Sequence, residues 1–218
     1  MAEFIKTEIL GGVMKITLNR PDKFNSLNAV MMKQLQSALD TAASDKLIRA
    51  VYLTGEGKAF CAGQDLSDLN MGAAADSIEK AVREQYNPIV LKLRALEKPV
   101  VCAVNGVAAG AGASLALACD IVIAARSVAF VQAFSKIGLV PDCGGTYFLP
   151  RLVGLGKATA LMMLGEKLSA TDAEQMGMIY KVVEDDQLED IAMLTAKTLA
   201  DMPTIGLGLT KKRNKRYY

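Results

Sequence analysis

Histidine and tryptophan are both absent from the 218 residues, and phenylalanine and tyrosine together make up only 6%. Without histidine there is no Ser-His-Asp triad, no Cys-His nucleophile pair, no HExxH zinc site and no His-ligated metal. Acid–base work near neutral pH falls to a carboxylate, lysine, tyrosine or cysteine, and no metal or separate cofactor is expected. With so few aromatics the core has to be aliphatic. The cysteines are few: Cys61, Cys102, Cys119 and Cys143 stand far apart with no CxxC spacing. They read as small buried hydrophobes of a reducing compartment. The first ten residues carry Glu3, Lys6 and Glu8 and lack the apolar run of a signal peptide, so a cytoplasmic location is expected.

What is present describes a globular protein. Hydrophobic residues make up 51% and charged residues 22%, and a chain of this length can bury roughly 70% of its unfolded surface in one domain. The net charge of +2 is uneven, because Lys211–Tyr218 holds five of the 25 bases and no acid. The rest has 20 bases against 23 acids, a net −3. A nucleic-acid arm would need a matching basic stripe in the body, and there is none. The tail therefore reads as a solvated or artificially ended terminus, and no nucleic-acid partner is expected.

Two alternating stretches, Phe4–Ile9 and Val13–Asn19, flank Gly11-Gly12 and predict a hairpin. Asn28 can cap a helix running to about Ala43. A strand is expected at Arg49–Thr54, a loop at Gly55–Gly63, and a helix at Asp76–Leu96 bent near Pro88. A buried strand follows at Pro99–Val104, another at Asp120–Ala125, and a turn at Gly138–Asp142. From Gly144 onward the pattern is helical, with one strand at Ile179–Val183. Val100–Cys119 runs twenty residues without a charge, long enough for a membrane span. Its alanines, glycines and Asn105-Gly106 fit a strand, a turn and a short buried helix better, so no membrane partner is expected.

Three segments could carry chemistry. Lys58–Leu66 (KAFCAGQDL) places a glycine and polar residues where free backbone N–H groups collect, or it is a loop with Asp65 as an ordinary cap. Asn105–Ser114 (NGVAAGAGAS) brings glycines that permit a close approach of backbone to ligand, or of helix to strand. Its spacing is G-x-x-x-G-x-G, not that of a dinucleotide loop. Gly138–Thr146 (GLVPDCGGT) sets one carboxylate, Asp142, among Ile137, Leu139, Val140 and Cys143. Desolvation there would raise its pKa and make it a better base, unless it is only a helix cap.

Taken together, Leu18-Asn-Arg-Pro21, Asn25-Ser-Leu-Asn28, Ala62-Gly-Gln-Asp-Leu66, Asn105–Gly112 and Pro141–Thr146 resemble the crotonase, or enoyl-CoA hydratase/isomerase, superfamily from residue 4 to about 210. Tyr86-Asn-Pro88 and Ala133–Thr146 look closest to its ring-epoxyphenylacetyl-CoA isomerase branch of phenylacetate breakdown. The resemblance implies an α/β fold, a spiral of ββα units with a helical C-terminal region, assembled as trimers or dimers of trimers. Residues 1–185 would be the spiral core. Residues 186–218 would begin a helical region that stops some forty residues early. The substrate would be an acyl-CoA thioester, with coenzyme A entering only as part of it.

In such enzymes two backbone N–H groups grip the thioester oxygen; by position these are Gln64 and Ala111, with Gly110 adjacent. Phe24, Ala62, Gly63, Asp65 and Leu66 would line the CoA path. The acyl group would face Phe134, Ile137, Val140 and Asp142, with Tyr86 and Met71 at the far wall. Hydratases of the superfamily carry two glutamates where this chain has Ser114 and Phe134. Asp142 alone remains, at a position that several isomerases use, which favours an isomerase shuttling one proton. The alternatives are an enoyl-CoA hydratase and a non-catalytic acyl-CoA-binding protein on the same fold.

Overall fold

The computed structural model describes residues 2–65 and 79–214. The chain opens with the hairpin β1 (Ile5–Leu10) and β2 (Val13–Leu18), antiparallel in register from Ile5 opposite Leu18 to Leu10 opposite Val13. Gly11 and Gly12 both have positive φ, 57° and 82°, as a two-residue hairpin turn requires. Helix α1 (Ala29–Ser44) starts where expected, its Asn28 side chain accepting the Met31 N–H at 2.8 Å.

From there the chain winds as a spiral in which each turn gives one long strand to a large sheet and one short strand to a small sheet. β3 (Ala50–Gly55), β5 (Val100–Val104) and β7 (Ile121–Ala125) lie parallel in the large sheet, which has the order β1-β2-β3-β5-β7-β10. β4 (Ala59–Cys61), β6 (Val107–Ala109) and β8 (Ala129–Val131) lie parallel in the small one, of order β4-β6-β8-β9. β3 and β5 are buried along their whole length, which is why they read as unbroken apolar runs. The expected ββα spiral is therefore present.

Three short strands differ from the sequence reading, and one of them, β6, stands where a turn is expected. The predicted loop at Gly55–Gly63 contains β4, and β9 (Lys167–Ser169) pairs antiparallel with β8 inside the region read as helical. Each is three residues long and is held by pairing to a neighbour, so neither carries enough alternation to show in the sequence.

Before Pro88 the backbone makes a π turn over Val82–Tyr86, with Asn87 N–H reaching back to Val82 C=O, and continues as α2 (Asn87–Ala95). A proline supplies no N–H to the helical ladder, so the predicted bend falls there. Helix α3 (Ala111–Leu117) is wholly buried, and α4 (Gly145–Val153), α5 (Leu155–Leu164) and α6 (Ala170–Gln175) follow. β10 (Lys181–Val183) closes the large sheet, and α7 (Leu188–Asp201) lies across β3, β5 and β7. Val100–Cys119 is thus β5, β6 and α3: the expected strand and short buried helix are present, and the short strand β6 takes the place of the expected turn. Among the described residues no helix is long and apolar enough to cross a membrane.

The last helix, α8 (Thr204–Asn214), corrects the reading of the basic tail as solvated at one residue, Lys211, whereas Lys212 and Arg213 are exposed. Lys211 is buried, and its Nζ lies 2.6 Å from Asp120 Oδ2 and 3.3 Å from the Lys98 carbonyl. Asp120 also accepts from Arg94 at 3.1 Å and from the Val100 N–H at 2.9 Å. Burial pushes the Lys211 ammonium below its ordinary pKa, and Asp120 opposes that shift. One residue of the basic run therefore pins α8 to the start of β5.

Candidate active site

The site is assembled where the two sheets' loops meet α3 and α4. Arg20 organises its near edge, donating to the Ser26 carbonyl at 2.7 Å and to Asp65 Oδ2 at 2.9 Å. Asn25, fully buried with φ of 54°, accepts the Arg20 N–H and donates to the carbonyls of Glu56 and Ala59 at 2.9 and 2.7 Å. Leu27 then pairs with the next loop: its N–H bonds Gly63 C=O at 2.7 Å, and its carbonyl accepts Asp65 N–H at 2.9 Å. The Asn-Ser-Leu-Asn signature is thus a clasp that fixes the Ala62–Asp65 backbone. Asn105 plays a similar part, accepting Gly55 N–H at 3.1 Å and donating to Gly57 C=O at 2.9 Å.

The Arg20–Asp65 pair is about 90% buried on both sides. Removing one member of such a pair typically costs about 3–5 kcal/mol, because the other charge stays buried. Arg20→Met is expected to lower unfolding stability by that order in urea titration. The double variant Arg20→Met/Asp65→Leu should recover most of the loss. Asp65 is thus a loop anchor whose carboxylate is turned to Arg20, and not merely a helix cap.

Two loop backbones come together beside this clasp. Gly63 has φ of 95°, and a side chain there would come within 2.8 Å of Ala109 C=O and 3.5 Å of Ala111 N. That close approach brings the Gln64 backbone to the start of α3. The pairing with Leu27 uses the groups of Gly63 and Asp65 and leaves Gln64 N–H unused. Ala111 is the first residue of α3, so its N–H has no partner inside the helix. Gly110, at φ 51° and ψ −123°, makes the turn into the helix, its own N–H bonded to Val131 C=O at 2.8 Å. Gly112 lies against the Cys61 carbonyl so closely that any side chain would collide with it. The glycines thus serve the close packing of helix on strand and of the Gly63 turn on the start of α3.

Asp142 sits on the turn before α4. Cys143 and Gly144 both adopt positive φ, 49° and 75°, and Asp142 C=O accepts Gly145 N–H at 2.8 Å. Its Oδ1 is buried with no hydrogen-bond partner. Burial pushes the carboxyl up from 3.8 to about 6, partly offset by a hydrogen bond from the Cys143 thiol. Burial also holds Cys143 well above its ordinary value and Cys61 at about 12, so both thiols stay neutral. All four cysteines are free and buried, as their spacing suggested.

The other expected site residues fall into distinct places. Phe134 is buried, its ring edge 3.7 Å from where a Gly110 side chain would begin, so it covers the turn into α3. Phe24 is 58% exposed beside the clasp, its carbonyl accepting Ala62 N–H at 2.9 Å, and Ala62 is exposed. Ile137 and Val140 are exposed near Asp142, whereas Tyr86 is buried in the core. Leu66 and Met71 lie outside the described residues. Two large cavities, of about 830 and 700 Å³, are lined by other parts of the chain, around Lys98 and Thr204 and around Phe148 and Lys211. The motif reading passed over Gln132, a buried amide whose Oε1 has no partner. Its only sequence signal is a polar residue set among Ala129, Phe130, Val131, Ala133 and Phe134.

The site thus combines a spiral of ββα turns, a glycine-rich helix start packed against the Gly63 turn, and the Asp142 carboxylate with one buried oxygen. The chain matches the enoyl-CoA hydratase/isomerase family over residues 8–217 and belongs to it. It is 54% identical to the 1,2-epoxyphenylacetyl-CoA isomerase of Escherichia coli over 97% of this chain and 82% of that protein. It is 46% identical to a protein of Rhodobacter capsulatus named as a probable enoyl-CoA hydratase, over 95% and 79% of the two chains. The crystal structure of an enoyl-CoA hydratase from Bacillus anthracis superposes with a TM-score of 0.91 at 36% identity, covering 96% of this chain and 81% of that one.

Proposed function

We propose that this protein is an acyl-CoA isomerase that moves a double bond through a thioester enolate, with Asp142 as its single acid–base. The observation that carries this reading is a carboxylate raised to about 6 by burial, while the two positions that hold glutamates in hydratases are Ser114 and Phe134. In this mechanism the N–H groups of Gln64 and Ala111 hold the thioester oxygen. Removing a proton from C2 sends negative charge to that oxygen, where fixed donors stabilise it without reorganising. Asp142 takes the C2 proton and returns it to C4, so that a 3-enoyl thioester becomes the conjugated 2-enoyl thioester. Water addition needs one group to activate water and another to protonate carbon, and a single carboxylate supplies one proton site.

Coenzyme A would lie along the Arg20–Phe24 segment and the Ala62–Asp65 backbone, with the acyl group between Phe134, Ile137 and Asp142. The identity to the E. coli isomerase supports an acyl group bearing a ring epoxide as the preferred substrate class. The test offers the enzyme 3-enoyl-CoA, 2-enoyl-CoA and the ring-epoxide thioester in parallel. Conjugation or ring rearrangement should be fast, and hydration of 2-enoyl-CoA at least tenfold slower. Hydration as the fastest reaction would reject the isomerase reading in favour of a hydratase. Acyl-CoA binding with no turnover of any of the three would leave a binding protein.

A further inference from the structure

Three buried oxygens around the Pro141–Gly145 turn have no hydrogen-bond partner: Ser114 Oγ, Gln132 Oε1 and Asp142 Oδ1. Ser114 is fully buried and Gln132 is 5% exposed. A methyl group on Gly145 would lie 2.8 Å from Ser114 Oγ and 3.8 Å from Gln132 Oε1. Both oxygens therefore face the same small space beside the Gly145 backbone, and Gly145 N–H is bonded to the carbonyl of Asp142 itself. A buried polar atom left unpaired costs about 1–3 kcal/mol, so Ser114 Oγ and Gln132 Oε1 beside Gly145, and Asp142 Oδ1 on the adjoining turn, each call for a partner.

The chemistry of the three atoms selects that partner. The Gln132 oxygen only accepts, ionised Asp142 only accepts, and Ser114 alone can donate. An anion would meet two acceptors, and among the described residues no group of His, Cys, Asp or Glu side chains could hold a metal. A small neutral donor of two hydrogens fits. We propose that Ser114 and Gln132 hold one buried water against the Asp142 turn, accepting the Ser114 hydroxyl proton and donating to Gln132 Oε1 and Asp142 Oδ1. Ser114 and Gln132 are then positioning residues, which keep the carboxylate in one orientation by way of the water. A methyl group on Gly145 would collide with Ser114 Oγ. Among the described residues the titratable group bonded to Asp142 is the neutral thiol of Cys143, and Cys61 acts on Cys143 in turn.

The consequence for activity rests on the proposed role of Asp142; the water site itself does not. In a high-resolution crystal structure, water density is expected at about 2.7–3.2 Å from both Ser114 Oγ and Gln132 Oε1. In Ser114→Ala and Gln132→Leu the carboxylate loses a donor, so the acid limb of kcat/KM should move up by about one pH unit. The ratio of rates at pH 5 and pH 8 then falls about tenfold. A dry niche in the wild-type crystal overturns the proposal, and so does a loss of activity equal at all pH values in Ser114→Ala, the milder of the two changes. If Asp142→Asn instead keeps full turnover, the isomerase mechanism fails, while the crystallographic water is judged on its own density.

Discussion

Exchanging Asp142 for asparagine is expected to slow double-bond migration by about 10²–10⁴-fold, the usual worth of a positioned acid–base group. Acyl-CoA affinity should change little, since in the proposed mechanism backbone donors hold the thioester. In the wild type the base must be ionised, so kcat/KM should rise with pH through about 6 and then level off. The same substitution has an opposite effect on the fold. A carboxyl raised by burial contributes its full stability below its unfolded pKa, and that contribution is lost as pH rises through the folded value. Asp142 thus costs stability above about pH 6, by at most about 3 kcal/mol for a shift of this size. The asparagine variant should be the more stable protein at about pH 8, and the two should converge near pH 4. Thermal melts at the two pH values, run beside the activity assay, check both halves.

The second large effect is expected from Ala111→Pro. Proline removes the N–H that the proposed mechanism turns to the thioester oxygen, yet the first position of a helix tolerates it, because that N–H has no helical partner. Gly110 keeps its turn, and no internal hydrogen bond is lost. Removing one oxyanion donor typically costs about 10²–10³ in kcat, or 2.7–4 kcal/mol. A folded Ala111→Pro protein should therefore bind acyl-CoA and turn over at least a hundredfold more slowly. Turnover within a few-fold of wild type would remove Ala111 from the oxyanion site.

The parts of this molecule legible in the sequence are those fixed by local backbone chemistry. Gly11-Gly12 specifies the hairpin, Asn28 the start of α1, and Pro88 the bend before α2, each by a conformational limit of one residue. The glycines of Asn105–Gly112 were visible as a close approach of backbone, but whether to ligand or to strand was open. The structure shows contact with Cys61 and with the Gly63 turn at once. Strands β4 and β9 could not be read, because their three residues owe their conformation to neighbours distant in sequence. Lys211 looked like one of five tail bases, and only the fold brings Asp120 to it. Likewise Asp65 resembled a cap until Arg20, 45 residues away, was seen to hold it. Gln132 carries no motif, and its meaning lies in the missing partner of one buried oxygen.

The claim that one carboxylate carries the proton both ways is tested most directly by isotope transfer. A 3-enoyl-CoA labelled with deuterium at C2 would be turned over in ordinary water, and the conjugated product analysed for label at C4. A single Asp142 shuttle requires deuterium to appear at C4, and the Asp142→Asn enzyme to form almost no product. Product with no label at C4, formed as fast by the asparagine variant as by the wild type, would show that another group moves the proton.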